Sequence, residues 1–130
     1  MSSLNSDASS PRVLIVEDDL DLRELMSEIL TDEGFAVSPA STGTEAVVYL
    51  KNHPMPNLIL MDLSLPEMSG DELMGHLSAH PDRSQAKIVV VSGWDDVAAR
   101  AHKLGADGFM KKPLELGTIS STLKRIMSPG

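Results

Sequence analysis

Apolar residues recur along this chain in two alternating spacings. Arg12-Val13-Leu14-Ile15-Val16 is a short continuous apolar run that ends in Glu17-Asp18-Asp19. Such a run predicts a strand buried on both faces, as in a parallel sheet. Leu22, Leu25, Met26, Ile29 and Leu30 then return at helical spacing and predict one apolar stripe on a helix. Gly34 is placed to stop that helix in the left-handed conformation. Residues 35–40 read as a second, more polar strand that suits a sheet edge. Thr42-Gly43-Thr44-Glu45 has the form of a capping box and opens a helix with Ala46, Val47 and Leu50 inward. His53-Pro54-Met55-Pro56 breaks it.

The pattern then repeats. Leu58-Ile59-Leu60-Met61 runs straight into Asp62, and Ser69-Gly70-Asp71-Glu72 is a second capping box. It precedes a helix with Leu73, Met74 and Leu77 inward. Lys87-Ile88-Val89-Val90-Val91 predicts the fourth strand and leads into Ser92-Gly93-Trp94. Asp95 and Asp96 suit the N-terminus of a helix whose stripe is Val97, Ala101 and Leu104, with Gly105 as its stop. Gly108-Phe109-Met110 is a short fifth strand, followed by Lys111-Lys112-Pro113. The last helix carries Ile119, Leu123, Ile126 and Met127 on one face. Five strands alternating with five helices predict an α/β fold, a doubly wound sandwich around a parallel sheet.

Composition narrows the function. The 130 residues suffice for one domain, and 42% hydrophobic content allows a core without covalent staples. There is no cysteine, which excludes disulfides, thiolate metal sites and cysteine nucleophiles. The net charge of −8 disfavours direct binding to nucleic acid or to an anionic membrane. Residues 1–11, rich in Ser, Asn and Asp, read as a disordered leader before a domain over residues 12–128. No signal peptide or membrane span is visible, so the expected location is cytoplasmic.

Candidate chemistry collects at the predicted carboxyl ends of strands. These positions carry Glu17-Asp18, Asp62, Ser92 and Lys112. In an open parallel sheet those ends share one edge, where ligands bind. Carboxylates gathered there repel unless a cation or proton lies between them. Oxygen ligands of this kind suit Mg2+, and an adjacent ammonium and hydroxyl would suit a phosphoryl group. Asp62 is then the natural nucleophile, forming an aspartyl-phosphate. His53, His76, His80 and His102 lack metal-ligand context, and Met61, Met74 and Met110 read as core filler.

The ordered set Glu17-Asp18, Asp62 with Pro66 and Gly70, Ser92, and Lys112-Pro113 resembles the receiver domain of two-component response regulators. The resemblance spans about residues 12–127. It implies a (βα)5 flavodoxin-like sheet of order 2-1-3-4-5 and Mg2+ held by Asp18, Asp62 and the backbone carbonyl of Ser64. Glu17 would act through metal-bound water, and Asp19 would be a helix cap. It implies Asp62 as phosphoacceptor, Ser92 and Lys112 as its catalytic partners, and a sensor histidine kinase or phosphotransfer protein as donor. A downstream protein would read the face of the fourth helix, fifth strand and fifth helix. Phe109 falls where the family has its switch aromatic, although a plain core residue is an equal reading. Trp94 lies in the site loop, where many receivers carry a smaller or polar side chain.

Two other readings remain open at this stage. One is a Mg2+-dependent phosphatase of the haloacid dehalogenase type with an Asp nucleophile, but Ser64 stands where that family has a second Asp. The other is a non-phosphorylated interaction module of the same fold, against which the full acidic cluster and Lys112 weigh.

Overall fold

Among the described residues the two spacings become five strands and five α-helices in strict alternation. A computed structural model of the chain describes residues 10–128. In order these are β1 (Arg12–Val16), α1 (Leu20–Asp32), β2 (Ala36–Ala40), α2 (Gly43–Asn52) and β3 (Leu58–Asp62). Then come α3 (Gly70–Ser78), β4 (Lys87–Ser92), α4 (Val97–Leu104), β5 (Gly108–Lys111) and α5 (Leu116–Met127). A short 3-10 turn, Arg83–Gln85, precedes β4 and has no counterpart in the hydrophobic pattern.

All strand pairs are parallel, in the order β2-β1-β3-β4-β5. The order reverses at β1, so the chain leaves β1 and β3 toward opposite sides and opens a crevice at their carboxyl ends. The polar second strand is an edge, as expected, and its Pro39 costs no central ladder bond. Side chains alternate along each strand and build two cores. Leu14, Val16, Ile59, Met61, Ile88 and Val90 face α2, α3 and α4. Val13, Ile15, Leu58, Leu60, Val89, Val91 and Met110 face α1 and α5. Each fully buried Leu or Ile among them contributes about 1.5–3 kcal/mol relative to exposure.

Local signals end the helices largely as the sequence predicts. Asp19 caps α1 by accepting from Leu22 N at 3.2 Å. Gly34 follows α1 with φ of 99°, and Gly105 closes α4 with φ of 81°. The Ser69–Glu72 capping box is complete. Asp96 stands at the N-cap position of α4 as expected, with its carboxylate paired to Arg100 at 3.0 Å. Two expectations need correction. Thr42 does cap Glu45 N, but the Glu45 carboxylate turns to Ser41 instead of closing the box. Leu25 belongs to the α1 stripe by spacing, yet it is 44% exposed, at the flank of a stripe whose buried residues are Met26, Ile29 and Leu30.

The predicted leader falls mostly outside the described residues. Of it only Ser10 and Pro11 are described, and Pro11 O accepts from Ala36 N at 2.9 Å. Among the described residues no helix is long and apolar enough to cross a membrane.

Candidate functional site

Strand alternation decides which groups can meet. Asp62 continues the Leu58-Leu60 side of β3, Glu17 the Val13-Ile15 side of β1, and Lys112 follows Met110. All three therefore lean to the same side at the carboxyl edge. Lys112 Nζ donates to Asp62 Oδ2 at 2.7 Å and stands 3.3 Å from Glu17 Oε1. The other Asp62 oxygen, Oδ1, accepts from Ser64 N at 2.8 Å. Asp62 and Glu17 are buried, while Asp18 is exposed beside them.

The first loop is held from below. Glu17 Oε2 accepts from Asp19 N at 3.1 Å, and Arg23 Nη1 donates to Glu17 O at 2.9 Å. Asp19 and Arg23 lie in or beside the first turn of α1, so the helix start fixes the acidic pair. Sequence reading placed Asp19 as a cap but missed Arg23. A side chain reaching a backbone carbonyl leaves no spacing signal.

Burial sets the electrostatics. The Glu17 carboxyl is pushed up from 4.5 to about 7, first by burial and then by the Asp62 charge. The Asp19 amide and Lys112 oppose this. Burial wins because the side chain is 1% exposed and the one nearby ammonium is shared with Asp62. Burial would lower Lys112, but the hydrogen bond and charge of Asp62, with Glu17 behind them, hold it above 10.5.

The donor set fits a divalent cation. One oxygen from each of Glu17, Asp18 and Asp62 lies within 4.8 Å of the others. Glu17 Oε1 is buried and accepts no hydrogen bond of good geometry. A buried acceptor left in that state is costly, and a hard cation or its bound water would satisfy it.

Ser92, Phe109 and Trp94 do not join this cluster. Ser92 is fully buried at the end of β4, and its Oγ accepts from Trp94 N at 3.0 Å. Trp94 is 42% exposed, with the Arg100 guanidinium 4.3 Å from its ring centroid. Phe109 is 40% exposed on edge strand β5, which removes the reading of it as a core residue. Next along the edge, Lys111 pairs with Asp95 at 3.2 Å.

The fold is thus a doubly wound parallel α/β domain that gathers carboxylates and an ammonium at the carboxyl edge of its sheet. A family model described as the response regulator receiver domain matches residues 13–124. The chain belongs to that family and is a receiver domain of two-component signal transduction. The chemotaxis protein CheY of Thermotoga maritima is 34% identical over 119 residues, covering 88% of this chain and 96% of that protein. The phosphate regulon transcriptional regulatory protein PhoB of Escherichia coli is 31% identical over 118 residues, or 89% of this chain. The chain spans 51% of that relative's length. The solved structure of a chemotaxis response regulator of Vibrio cholerae matches with a TM-score of 0.84 at 25% identity. That match covers 92% of this chain and 100% of the other.

Proposed function

We propose that Asp62 is the phosphoacceptor and takes its phosphoryl group from the phosphohistidine of a sensor histidine kinase or a phosphotransfer protein. The observation that carries this reading is the Asp62 carboxylate itself. It is held from both sides, by Lys112 Nζ and by Ser64 N, beside Glu17 and Asp18. A carboxylate oxygen of Asp62 forms the new P–O bond while the donor P–N bond breaks, and the imidazole nitrogen keeps that electron pair. Lys112 neutralises oxygens of the transferring group. Asp18, Asp62 and the Ser64 carbonyl would hold Mg2+, with Glu17 acting through water. Bound there, Mg2+ supplies the positive charge that the phosphoryl oxygens need.

A groove beside Lys112 supports a macromolecular donor. Leu22, Leu25, Pro113 and Leu114 line it together with Asp19, Asp21 and Lys112. An apolar strip next to the acceptor suits the packed face of a donor helix, and it gives exposed Leu25 a use. On phosphorylation the Ser92 hydroxyl, which accepts from the Trp94 amide, donates to a phosphoryl oxygen and draws the β4–α4 loop inward. That biases the face of α4, β5 and α5, which a downstream protein reads. Exposed Phe109 and Leu116 support this, since both stand free of the core. The chain then acts as a signalling switch whose only chemistry is its own phosphorylation and dephosphorylation.

The test is direct. Incubation with acetyl phosphate and Mg2+ is expected to add one phosphoryl group by intact mass, and Asp62→Asn to add none. Undiminished labelling of that variant would sink the assignment.

A further inference from the structure

The loop between Asp62 and α3 makes one contact that lies away from the site. Glu67 Oε1 accepts from Gly43 N at 2.7 Å, and Glu67 Oε2 accepts from Thr44 Oγ1 at 2.5 Å. Both donors belong to the first turn of α2, where backbone amides lack intrahelical partners and the helix dipole favours a carboxylate. The Thr44 hydrogen bond, more than any other contact, holds the Glu67 carboxyl below its ordinary value. Met68 lies on the same turn. A Cβ added to Gly43 would stand 2.8 Å from Met68 Cβ and Sδ. Adjacent residues of the loop therefore press on α2 together, one by hydrogen bonds and one by packing.

What this hold secures follows from the rest of the loop. At its start Leu63 N donates to Val91 O at 3.0 Å, and Leu63 and Leu65 are buried. At its end Ser69 caps α3. Ser64 lies between Leu63 and Leu65 with its own side chain exposed, so its backbone position depends on the rest of the loop. Its amide is nevertheless one of the two donors that orient the Asp62 carboxylate. A slack loop would withdraw that amide and let the carboxylate turn toward Lys112 alone.

We infer that Glu67 is a positioning residue for phosphoryl transfer. Its two-point hold on Gly43 and Thr44 keeps the Ser64 amide on Asp62 Oδ1 and so keeps the carboxylate aimed at the incoming phosphorus. This rests on Asp62 being the acceptor. Attack by a carboxylate is sensitive to aim, and a misplacement of about 1 Å can cost roughly a hundredfold in rate.

The test uses the full chain and two readouts. Glu67→Ala is expected to slow phosphorylation by acetyl phosphate about tenfold, a part of that cost. Glu67→Gln, which keeps an acceptor for Gly43 N, is expected to recover part of the rate. Thr44→Val should slow the reaction too, and the Thr44→Val, Glu67→Ala double variant should be no slower than Glu67→Ala alone. In Mg2+-free protein, amide exchange at Ser64 should quicken in Glu67→Ala while Leu63 stays protected. A Glu67 that only caps α2 would lower the melting temperature and leave both Ser64 exchange and the rate unchanged. Either of those unchanged overturns the proposal. If wild type is not phosphorylated on Asp62, the acceptor reading fails separately, and Ser64 exchange still reports whether Glu67 holds the loop.

Discussion

Lys112 and Asp62 are 50 residues apart in the chain and 2.7 Å apart in the fold. The carboxyl ends of β3 and β5 flank the end of β4, and a lysine stem spans that gap. The ammonium has a second carboxylate, Glu17, at 3.3 Å. Removing it leaves the buried Asp62 carboxylate without its cation and pushes the Glu17 carboxyl further up.

Lys112→Met keeps the stem and removes the charge. Breaking a buried ion pair by deleting one partner costs about 3–5 kcal/mol, and the partial exposure of Lys112 puts the expectation at the low end. Urea unfolding without Mg2+ should read that loss. Phosphorylation by acetyl phosphate should slow by roughly a hundredfold, the scale for losing one charged contact to a transition state. Wild-type stability and rate together would mean that Lys112 is a bystander.

The pH dependence follows from Glu17. In the folded chain it holds its proton up to about 7, against 4.5 as an isolated group. A group whose folded value is raised confers stability that is full below the unfolded value and lost as pH rises through the folded one. The metal-free protein should therefore weaken between about pH 5 and pH 8, by about 3 kcal/mol from this group. Glu17→Gln should flatten that slope, and urea titrations of both proteins at the two pH values decide it.

Mg2+ should restore what deprotonation removes. A ligand bound only by the native state adds about 2.7 kcal/mol at roughly a hundredfold excess over its Kd. Protons compete for the same oxygens, so the rise in melting temperature should be larger at about pH 8 than at about pH 6. An Asp18→Asn variant that responds like wild type would remove Asp18 from the ligand set.

Trp94 should report on the site and slow its hydrolysis. Its amide is bonded to Ser92 Oγ and its ring lies against Arg100. Recruitment of Ser92 by a beryllofluoride mimic on Asp62 should shift Trp94 emission. The ring can also hinder the attacking water, so Trp94→Glu should dephosphorylate several-fold faster. Constant emission would rule out the reporter role, and equal or slower hydrolysis in the variant the shielding role.

Gly70 should not tolerate a side chain. A Cβ there would stand 2.5 Å from Leu63 Cδ2 and 3.2 Å from Leu63 Cα. Gly70→Ala should destabilise by about 1–3 kcal/mol through overpacking. Thermal melts would show it, and a neutral result would mean that the loop shifts freely.

Much of this was legible before any coordinates. Continuous apolar runs mark β1, β3 and β4 because both of their faces are covered. Their polar ends mark the carboxyl edge of the sheet, so Glu17, Asp18, Asp62 and Lys112 could be grouped from strand order alone. What spacing cannot encode is which flank of a stripe stays uncovered, and Leu25 came out exposed. Nor does it tell an edge aromatic from a buried one, as with Phe109. Glu67 and Arg23 escaped because each acts on distant or backbone partners. Glu45 fitted its motif, but Ser41 competed for its carboxylate.

The acidic cluster also has an arithmetic. Fully ionised, Glu17, Asp18 and Asp62 carry one more pair of negative charges than Lys112 can cancel. The fully ionised cluster thus carries a net charge of minus two. A monovalent ion leaves it unneutralised and a trivalent one overshoots, so electroneutrality by itself favours a divalent occupant before ionic radius or coordination number is considered. With such a cation in place the site would approach neutrality, and a phosphoryl group brought to Asp62 would not meet an anionic wall.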